Sequence, residues 1–553
     1  FQTNVCNFLL LFGEISQGMS CVLMETYSLP SIHSVLEYWA EKTPDLPFLV
    51  TGDGQCSMAH LDKQSTKLAN SLQALGVSSG DMVAVMMEGS ANYLKVWFAL
   101  SKIGAVEVPI NNAYKGLLLE HVIETTELTT VILDAEFCDV VGNAFANLGR
   151  SCKLIKNKIN GETSLANLIE QGRSDKITTN VLATDTACVL FTSGTTGPSK
   201  GVLMSHGHQL SFGKFFNEIV GMSEDDVTYN YLPFFHIAAK FLTLGTLLAG
   251  AQMALMPVFR LTKFWNDVNR FGATVCIAVG GLCHMLRGLP HKPEDSQNTL
   301  RLIYAVPRPS EFLDDFQTRF GLTVAEGYGS TETNLVVYSN GNDAPEGSCG
   351  RASKYFDVRI MNELGEEVET GASGEICVRP NYPNTIMKGY VKMPHETLDT
   401  CRGLWLHTGD RGYVDRNGYF FFQDRMKDAM RRRGENISSF EVERMINEHP
   451  DIAESAVVAV SSDLDEDDVL AVVVPRQEKQ LNPRELIYYF SENMPYFMVP
   501  RYLRFSASLP RTPTQKVRKI ELREEGITRD TWDSVEAGLK VTRHGILAEN
   551  EHG

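Results

Sequence analysis

At 553 residues the chain exceeds one ordinary hydrophobic core, and at roughly 100–200 residues per domain it asks for at least two packed units. A hydrophobic share of 43% with 22% charged residues excludes a disordered chain and a membrane-embedded body. The formal charge of -17 gives no net positive field for nucleic acid phosphates or acidic lipid headgroups, so neither is expected as a partner.

From the start of the chain, the apolar run Phe8 to Phe12 is too short to span a bilayer and follows no basic region, so it is not read as a signal peptide. Because the chain opens on Phe1 and methionines stand at Met19 and Met24, residues 1–23 are expected to be a non-native or disordered leader. From about Ser31 to Gly104, amphipathic helical stretches alternate with short β-branched runs, the texture of an α/β unit. Thr130 to Leu133, Cys188 to Phe191, Met253 to Met256, Val275 to Val279 and Leu302 to Ala305 read as strands buried on both faces, as in largely parallel sheets.

After Gly371 the texture becomes turn-rich β structure, with a hairpin signal at Arg416-Asn417-Gly418. A boundary is expected near Asp424 to Lys427. Beyond it, Ser439 to His449 and Pro483 to Asn493 read as helices, and Ala456 to Val460 and Leu470 to Val474 as strands, enough for a small α+β domain. The 11 cysteines are scattered, without a CxxC pair or a Cys/His cluster at zinc spacing, which argues against a structural metal and for a reduced, cytoplasmic setting. Cys276 and Cys283 read as two buried thiols on one helix.

The segment Ala187 to His206, "ACVLFTSGTTGPSKGVLMSH", carries the most chemistry. An apolar strand runs into Thr192, Ser193, Gly194, Thr195, Thr196, Gly197, Pro198, Ser199 and Lys200. Glycines admit close backbone approach, while hydroxyls, amides and one ammonium supply donors for phosphate oxygens. It is not a Walker loop, because Ser199 stands where that loop has its second glycine and Gly201 follows Lys200. A basic knot of Arg431, Arg432 and Arg433, with Arg425 and Lys427 nearby, precedes Gly434 and suits a polyphosphate.

This loop resembles the phosphate-binding signature of the adenylate-forming superfamily, which includes acyl-CoA synthetases, peptide-synthetase adenylation domains and firefly-type luciferases. Further matches follow in order: "YGSTE" at Tyr328 to Glu332, "WLHTGD" at Trp405 to Asp410, "DRMKD" at Asp424 to Asp428, "GENIS" at Gly434 to Ser438 and "PRTPTQK" at Pro510 to Lys516. The wording is most similar to acid–CoA ligases of the carnitine/crotonobetaine-CoA ligase-like branch. The resemblance implies a large N-terminal adenylation domain over residues 24–423, with largely parallel sheets, helices and a β-rich subdomain. A hinge at 424–427 and a mobile α+β lid over 428–553 would complete it.

The resemblance also implies roles. Thr192 to Gly197 and Lys200 would hold ATP phosphates; Thr331 would touch the α-phosphate and Glu332 would hold magnesium, which favours oxygen ligands. Tyr328, between Gly327 and Gly329 and beside Ser330, offers a flat face to adenine, whose pocket would also be lined by the backbone of Ala305, Val306 and Pro307. Asp410 would accept the ribose hydroxyls, and Arg425 would reach the nucleotide. Lys516 would stabilise the charge that develops as a carboxylate attacks the α-phosphorus. Lys427 would be the hinge about which the lid turns, bringing Arg433, Gly434 and Glu435 to the pocket for coenzyme A, with His236 as a gate. Tyr231 to Thr243, Ala278 to Leu282 and Gly327 to Leu335 would form a mostly apolar acyl pocket.

Read without the resemblance, Thr331-Glu332 is a helix cap, Asp410 a turn residue, His236 a core histidine and Lys516 an exposed loop residue. Two departures stand out: Gln515 where the family commonly has glycine, and Ser199 where it often has proline. The implied reaction joins a carboxylic acid to coenzyme A through an acyl-adenylate, using ATP and Mg2+. An adenylating enzyme serving a carrier-protein thiol and a catalytically silent nucleotide binder remain alternatives, and a homodimer, common among such ligases, stays open.

Overall fold

Short aliphatic runs separated by amphipathic helices build two large sheets in the computed structural model. It describes residues 25–548 apart from 53, 160, 162, 193–197, 280, 281, 310, 311, 342, 343, 426–428, 463–465, 478 and 512–516. The expected leader therefore lies outside the described residues.

The seven-stranded sheet has a parallel core of Val106–Pro109, Met82–Met86, Thr130–Asp134 and Lys153–Asn157. Every residue of Thr130–Asp134 is buried, as a strand covered on both faces requires. The helix Ala91–Ile103 shows how local sequence sets the crossovers: Ser90 caps its start by accepting the Tyr93 N–H, and Gly104 ends it at φ 79. Thr186–Thr192 pairs in parallel with Val106–Pro109, then returns antiparallel as Lys200–Ser205, with Thr192 opposite Lys200. The phosphate-loop segment thus closes a β-hairpin rather than joining a strand to a helix.

The thirteen-stranded sheet has its own parallel run, Gln252–Leu255, Val227–Asn230, Val275–Val279, Leu302–Val306 and Thr323–Ser330. It continues antiparallel through Asn334–Ser339 and Gly350–Ala352 to the hairpin of Leu406–Val414 with Tyr419–Arg425, whose turn holds Gly418 at φ 81. Helices His206–Val220 and Ile237–Ala249 join the two sheets through one buried cluster that includes Cys188, Phe212, Phe216, Leu244, Met253 and Tyr304. Each large aliphatic side chain buried there contributes about 1.5–3 kcal/mol.

That core also swallows charge. Lys240 is fully buried, with Nζ 2.6 Å from Glu107 Oε2 and 4.1 Å from the Trp97 ring centroid. Tyr93 donates its hydroxyl to the other Glu107 oxygen, so the carboxylate is matched on both sides.

Beyond residue 428 the chain forms the hairpin Ala429–Arg432 with Glu435–Ser438, the helix Ser439–Ile446, and a sheet of Ile452–Ser461, Asp467–Pro475, Tyr502–Phe505 and Trp532–Asp533. Helix Pro483–Asn493 and a terminal hairpin, Leu539–Thr542 with Gly545–Ala548, complete it. The α/β fold with a smaller α+β unit matches the sequence reading.

Cys276 and Cys283 do not share a helix as expected. The first lies in the strand Val275–Val279 and the second in the helix Leu282–Arg287, both buried. Among the described residues no helix is long and apolar enough to cross a membrane.

Candidate active site

The carboxyl ends of parallel strands from both sheets meet at one place. Pro109, Thr192, Val279, Val306 and Ser330, each the last residue of its strand, line a cavity of about 1260 Å³. Residues just past strand ends, Met87, Tyr231 and Met256, line it too. Open α/β sheets bind ligands at these ends, where loops are free to vary without disturbing the ladder.

On the phosphate side, Thr192 donates its hydroxyl to Glu332 Oε1 at 3.2 Å, and the Tyr390 hydroxyl reaches the same oxygen at 3.2 Å. Lys200 Nζ stands 4.7 Å from the Tyr390 ring centroid. Thr192, Lys200, Ser330, Thr331, Glu332 and Tyr390 all face the cavity. A carboxylate oxygen beside a hydroxyl is a hard donor set that fits magnesium on a polyphosphate. Ser193, Gly194, Thr195, Thr196 and Gly197 lie outside the described residues.

The glycines of "YGSTE" answer first to their own neighbours. A Cβ on Gly327 would come 2.1 Å from the Tyr304 hydroxyl oxygen, and one on Gly329 would come 1.9 Å from the Asn334 carbonyl oxygen. Both still line the cavity, whereas Tyr328, between them on the strand, does not. Tyr328 instead donates its hydroxyl to Asp410 Oδ2 at 2.7 Å, and Asp410, 4% exposed, faces the cavity. Val306 lines the wall, while Ala305 and Pro307 are not among the lining residues. Arg425 ends its strand with its backbone paired to Asp410.

Sequence reading missed Glu375, which braces this corner. It accepts from Gly409 N at 3.0 Å through Oε1, and holds His407 Nδ1 at 2.7 Å and Arg402 at 3.0 Å through Oε2. Gly409, at φ 74, precedes Asp410, so this carboxylate fixes the turn that presents the aspartate. With Cys377 it forms a Glu/Cys/His group that could hold a metal ion, assembled from strands far apart in sequence. The Arg402 guanidinium already neutralises the carboxylate. Tyr390 was missed as well, since a lone tyrosine carries no spacing signal.

The acyl side is apolar and aromatic: Phe212, Phe235, Phe241, Phe259, Leu282 and Leu335 face the cavity. Tyr231 turns its hydroxyl onto the Ile277 carbonyl at 2.9 Å. His236 stands between this region and the lid, with Nε2 2.8 Å from Glu435 Oε2.

Glu435 belongs to the lid hairpin, whose turn brings Arg433, Gly434 and Glu435 to the cavity. Gly434 has φ 78, and the nearest atom to a Cβ placed on it would be Val279 Cγ2 at 3.6 Å. The three arginines do not act as one knot. Arg432 is buried, with Nε 2.7 Å from Asp468 Oδ1 and a bond to the Val499 carbonyl, and burial lowers its pKa to about 10. Arg431 reaches the Val306 carbonyl at 3.3 Å, leaving Arg433 as the exposed member. Arg543 and His544, in the turn of the terminal hairpin, also line the cavity. Lys427 and Lys516 lie outside the described residues.

Residues 36–391 match the family model of the AMP-binding enzymes, and 441–516 match that of the AMP-binding enzyme C-terminal domain. Crotonobetaine/carnitine–CoA ligase of Salmonella heidelberg (strain SL476) is 30% identical over 483 residues, 85% of this chain and 93% of that protein. Among solved structures, o-succinylbenzoate CoA synthetase of Bacillus subtilis, as a double mutant bound with its product analogue OSB-NCoA, superposes with a TM-score of 0.78 at 24% identity, over 90% of this chain and 98% of that one. The same enzyme in complex with AMP gives 0.66 at 24% identity, over 91% of this chain and 99% of that one. Both share the fold. The chain belongs to the AMP-binding enzyme family and is an ATP-dependent acid–CoA ligase of the adenylate-forming superfamily.

Proposed function

We propose that the acid this ligase activates is predominantly apolar, a fatty or aryl carboxylic acid. The observation that carries this reading is the acyl wall. From Tyr231 to Phe259 and from Ile277 to Met285, the described residues that line the cavity include no Asp, Glu, Lys or Arg. A desolvated wall of that kind favours apolar groups and penalises an unpaired charge. A betaine is the second reading, supported by the similarity to a crotonobetaine/carnitine–CoA ligase and by the aromatic faces of Tyr231 and Phe259, which suit a quaternary ammonium.

In the proposed first step, a carboxylate oxygen attacks the α-phosphorus of ATP, a P–O bond forms, and the bond to pyrophosphate breaks. No base is needed, since the acid is ionised at neutral pH. Thr331 and Lys516 would meet the α-phosphate, Thr192 to Gly197 and Lys200 the leaving phosphates, and Asp410 the ribose hydroxyls. Glu332 and Thr192 would hold magnesium, which supplies charge neutralisation on the phosphates.

In the second step, the sulfur of coenzyme A attacks the acyl carbon, the bond to AMP breaks, and the thiol proton leaves to solvent. Lid rotation about Lys427 would withdraw Lys516 and present Gly434, along whose backbone the narrow thiol arm would pass. The Glu435–His236 contact supports a gate, because the imidazole is held by the lid when the lid is in this position. Domain limits at 24–423 and 428–553, resident magnesium, a cytoplasmic setting and a homodimer extend the same proposal.

The test is a panel of fatty, aryl and betaine acids scored by kcat/KM for thioester formation, with light scattering for assembly. The apolar reading requires hexanoate- or benzoate-like acids to exceed carnitine by at least tenfold. Carnitine ahead of them would replace it with the betaine reading.

A further inference from the structure

The lid touches the large domain at a second place, away from the thiol path. Glu441 lies in the first turn of the lid helix Ser439–Ile446, three residues after Ser438 at its N-cap. Serine at the cap with glutamate three residues on is the capping-box pattern, in which the carboxylate reaches back over its own helix end. Here Glu441 Oε1 accepts instead the backbone N–H of Ser199, 2.7 Å away and 242 residues earlier. Both residues are buried, at 3% and 0% exposure.

Ser199 is the residue just before Lys200, at the closing end of the phosphate-loop segment. Its carbonyl lies 2.7 Å from His121 Nε2, so the peptide on either side of it is held by the large domain and by the lid together. Tyr114 and Met430, Ile437 and Val442 belong to one buried cluster, which seals the contact from water. Lys115 adds a bond from the large domain to the Ser491 carbonyl at 2.9 Å. A proline at position 199 would have no N–H and could not make the contact.

We propose that Glu441 is a positioning residue for the coenzyme A step: by accepting the Ser199 N–H it docks the lid on the closing end of the phosphate-loop segment, in the arrangement that brings Gly434 and Glu435 to the cavity. The contact couples the two half-reactions by position. Thr192 to Gly197 and Lys200 would serve ATP phosphates in the first step, and the Ser199 amide beside Lys200 anchors the lid in the second. Burying a carboxylate is costly, and burial raises the Glu441 pKa to about 7 against the pull of the Ser199 bond and of Arg444, so the docked state is held by this bond against a desolvation cost rather than locked. Such a balance suits a lid that must leave again after each turnover. This inference rests on the two-step ligase reading.

The experiment separates the steps in the full-length protein. Acid-dependent pyrophosphate release reports the first, and single-turnover conversion of preformed acyl-adenylate by coenzyme A reports the second. Glu441→Ala is expected to slow the second step about tenfold, in kcat rather than in KM for coenzyme A, with pyrophosphate release unchanged. Glu441→Gln keeps the acceptor oxygen and is expected to restore the second step to within about threefold of native. Ser199→Pro removes the N–H together with the hydroxyl, and its loss is expected to fall more heavily on the second step than on the first, whereas Ser199→Ala, which removes the hydroxyl and keeps the N–H, is expected to stay near native in that step. The double variant Glu441→Ala/Ser199→Pro is expected to add little to either alone in that step.

An unchanged second step in Glu441→Ala overturns the proposal, as does an equal loss in both steps or additive losses in the double variant. Should Glu441→Ala fold poorly, Ser199→Pro decides by itself, and equal losses in its two steps count against the proposal. A native protein that forms acyl-adenylate but no thioester overturns the ligase reading itself, an outcome distinct from a native ligase indifferent to Glu441.

Discussion

Replacing Gly434 by alanine tests the lid turn with a cost that is conformational rather than steric. The residue has φ 78, and an added Cβ would meet only Val279 Cγ2 at 3.6 Å, an ordinary van der Waals contact. What remains is the left-handed backbone, which disfavours a residue with a Cβ by roughly 1–2 kcal/mol. At 1.36 kcal/mol per tenfold, the population of the turn in this geometry falls roughly 5–30-fold. Conversion of preformed acyl-adenylate by coenzyme A, measured by rapid quench, is expected to fall by that factor. Gly418→Ala is the matched control, since Gly418 has φ 81 with nothing within 4 Å of its Cβ position and lies in a remote hairpin turn. A loss below about twofold in Gly434→Ala, or an equal loss in Gly418→Ala, would refute the reasoning that ties this backbone to the coenzyme A step.

Lys240→Met leaves the Glu107 carboxylate, 1% exposed, without its cation, and is expected to destabilise the large domain by about 3–5 kcal/mol in urea unfolding, with much of the loss recovered by adding Glu107→Gln. Glu326 is buried on the strand Thr323–Ser330, and burial raises its pKa from 4.5 to about 7 against the pull of Arg308. A raised carboxyl takes up a proton on folding, so its contribution is full below about pH 4.5 and fades as pH climbs to 7. Glu326→Gln should therefore gain on the native protein by about 3 kcal/mol between pH 4.5 and pH 8, read by denaturant midpoints at each pH. Asp410→Ala is expected to raise KM for ATP at least tenfold while sparing KM for the acid, checked by steady-state kinetics. Glu332→Gln should shift the magnesium dependence of pyrophosphate release to higher concentration, and chelation should abolish release from the native protein.

Strands buried on both faces were legible as short aliphatic runs, and Val275–Val279 begins and ends where the sequence placed it. The site was legible wherever a motif is contiguous, as in "YGSTE" and "WLHTGD". What the sequence hid was mostly long-range. Glu375 meets His407 and Gly409 only because their strands are paired, and no spacing links residues 32 and 34 apart. Glu441 read as part of an amphipathic helix, and its partner 242 residues away is set by the lid position. The arginine run misled for a physical reason. Successive strand residues point to opposite faces, so Arg432 turns inward to Asp468 while its neighbours stay nearer the cavity. A spacing of seven fits two helical turns, which is why Cys276 and Cys283 read as one helix, and spacing alone does not reveal that one belongs to a strand and the other to a helix.

The most direct measurement of the central claim follows both products of one turnover, acyl-AMP and acyl-CoA, with ATP, magnesium, coenzyme A and an apolar acid, in the native protein and in Lys516→Ala. The expected result is acyl-AMP without coenzyme A, its conversion to acyl-CoA and AMP when the thiol is added, and loss of acyl-AMP formation in the variant with the second step largely kept when acyl-AMP is supplied. Acyl-CoA formed without an acyl-AMP intermediate, or equal activity in Lys516→Ala, would contradict it.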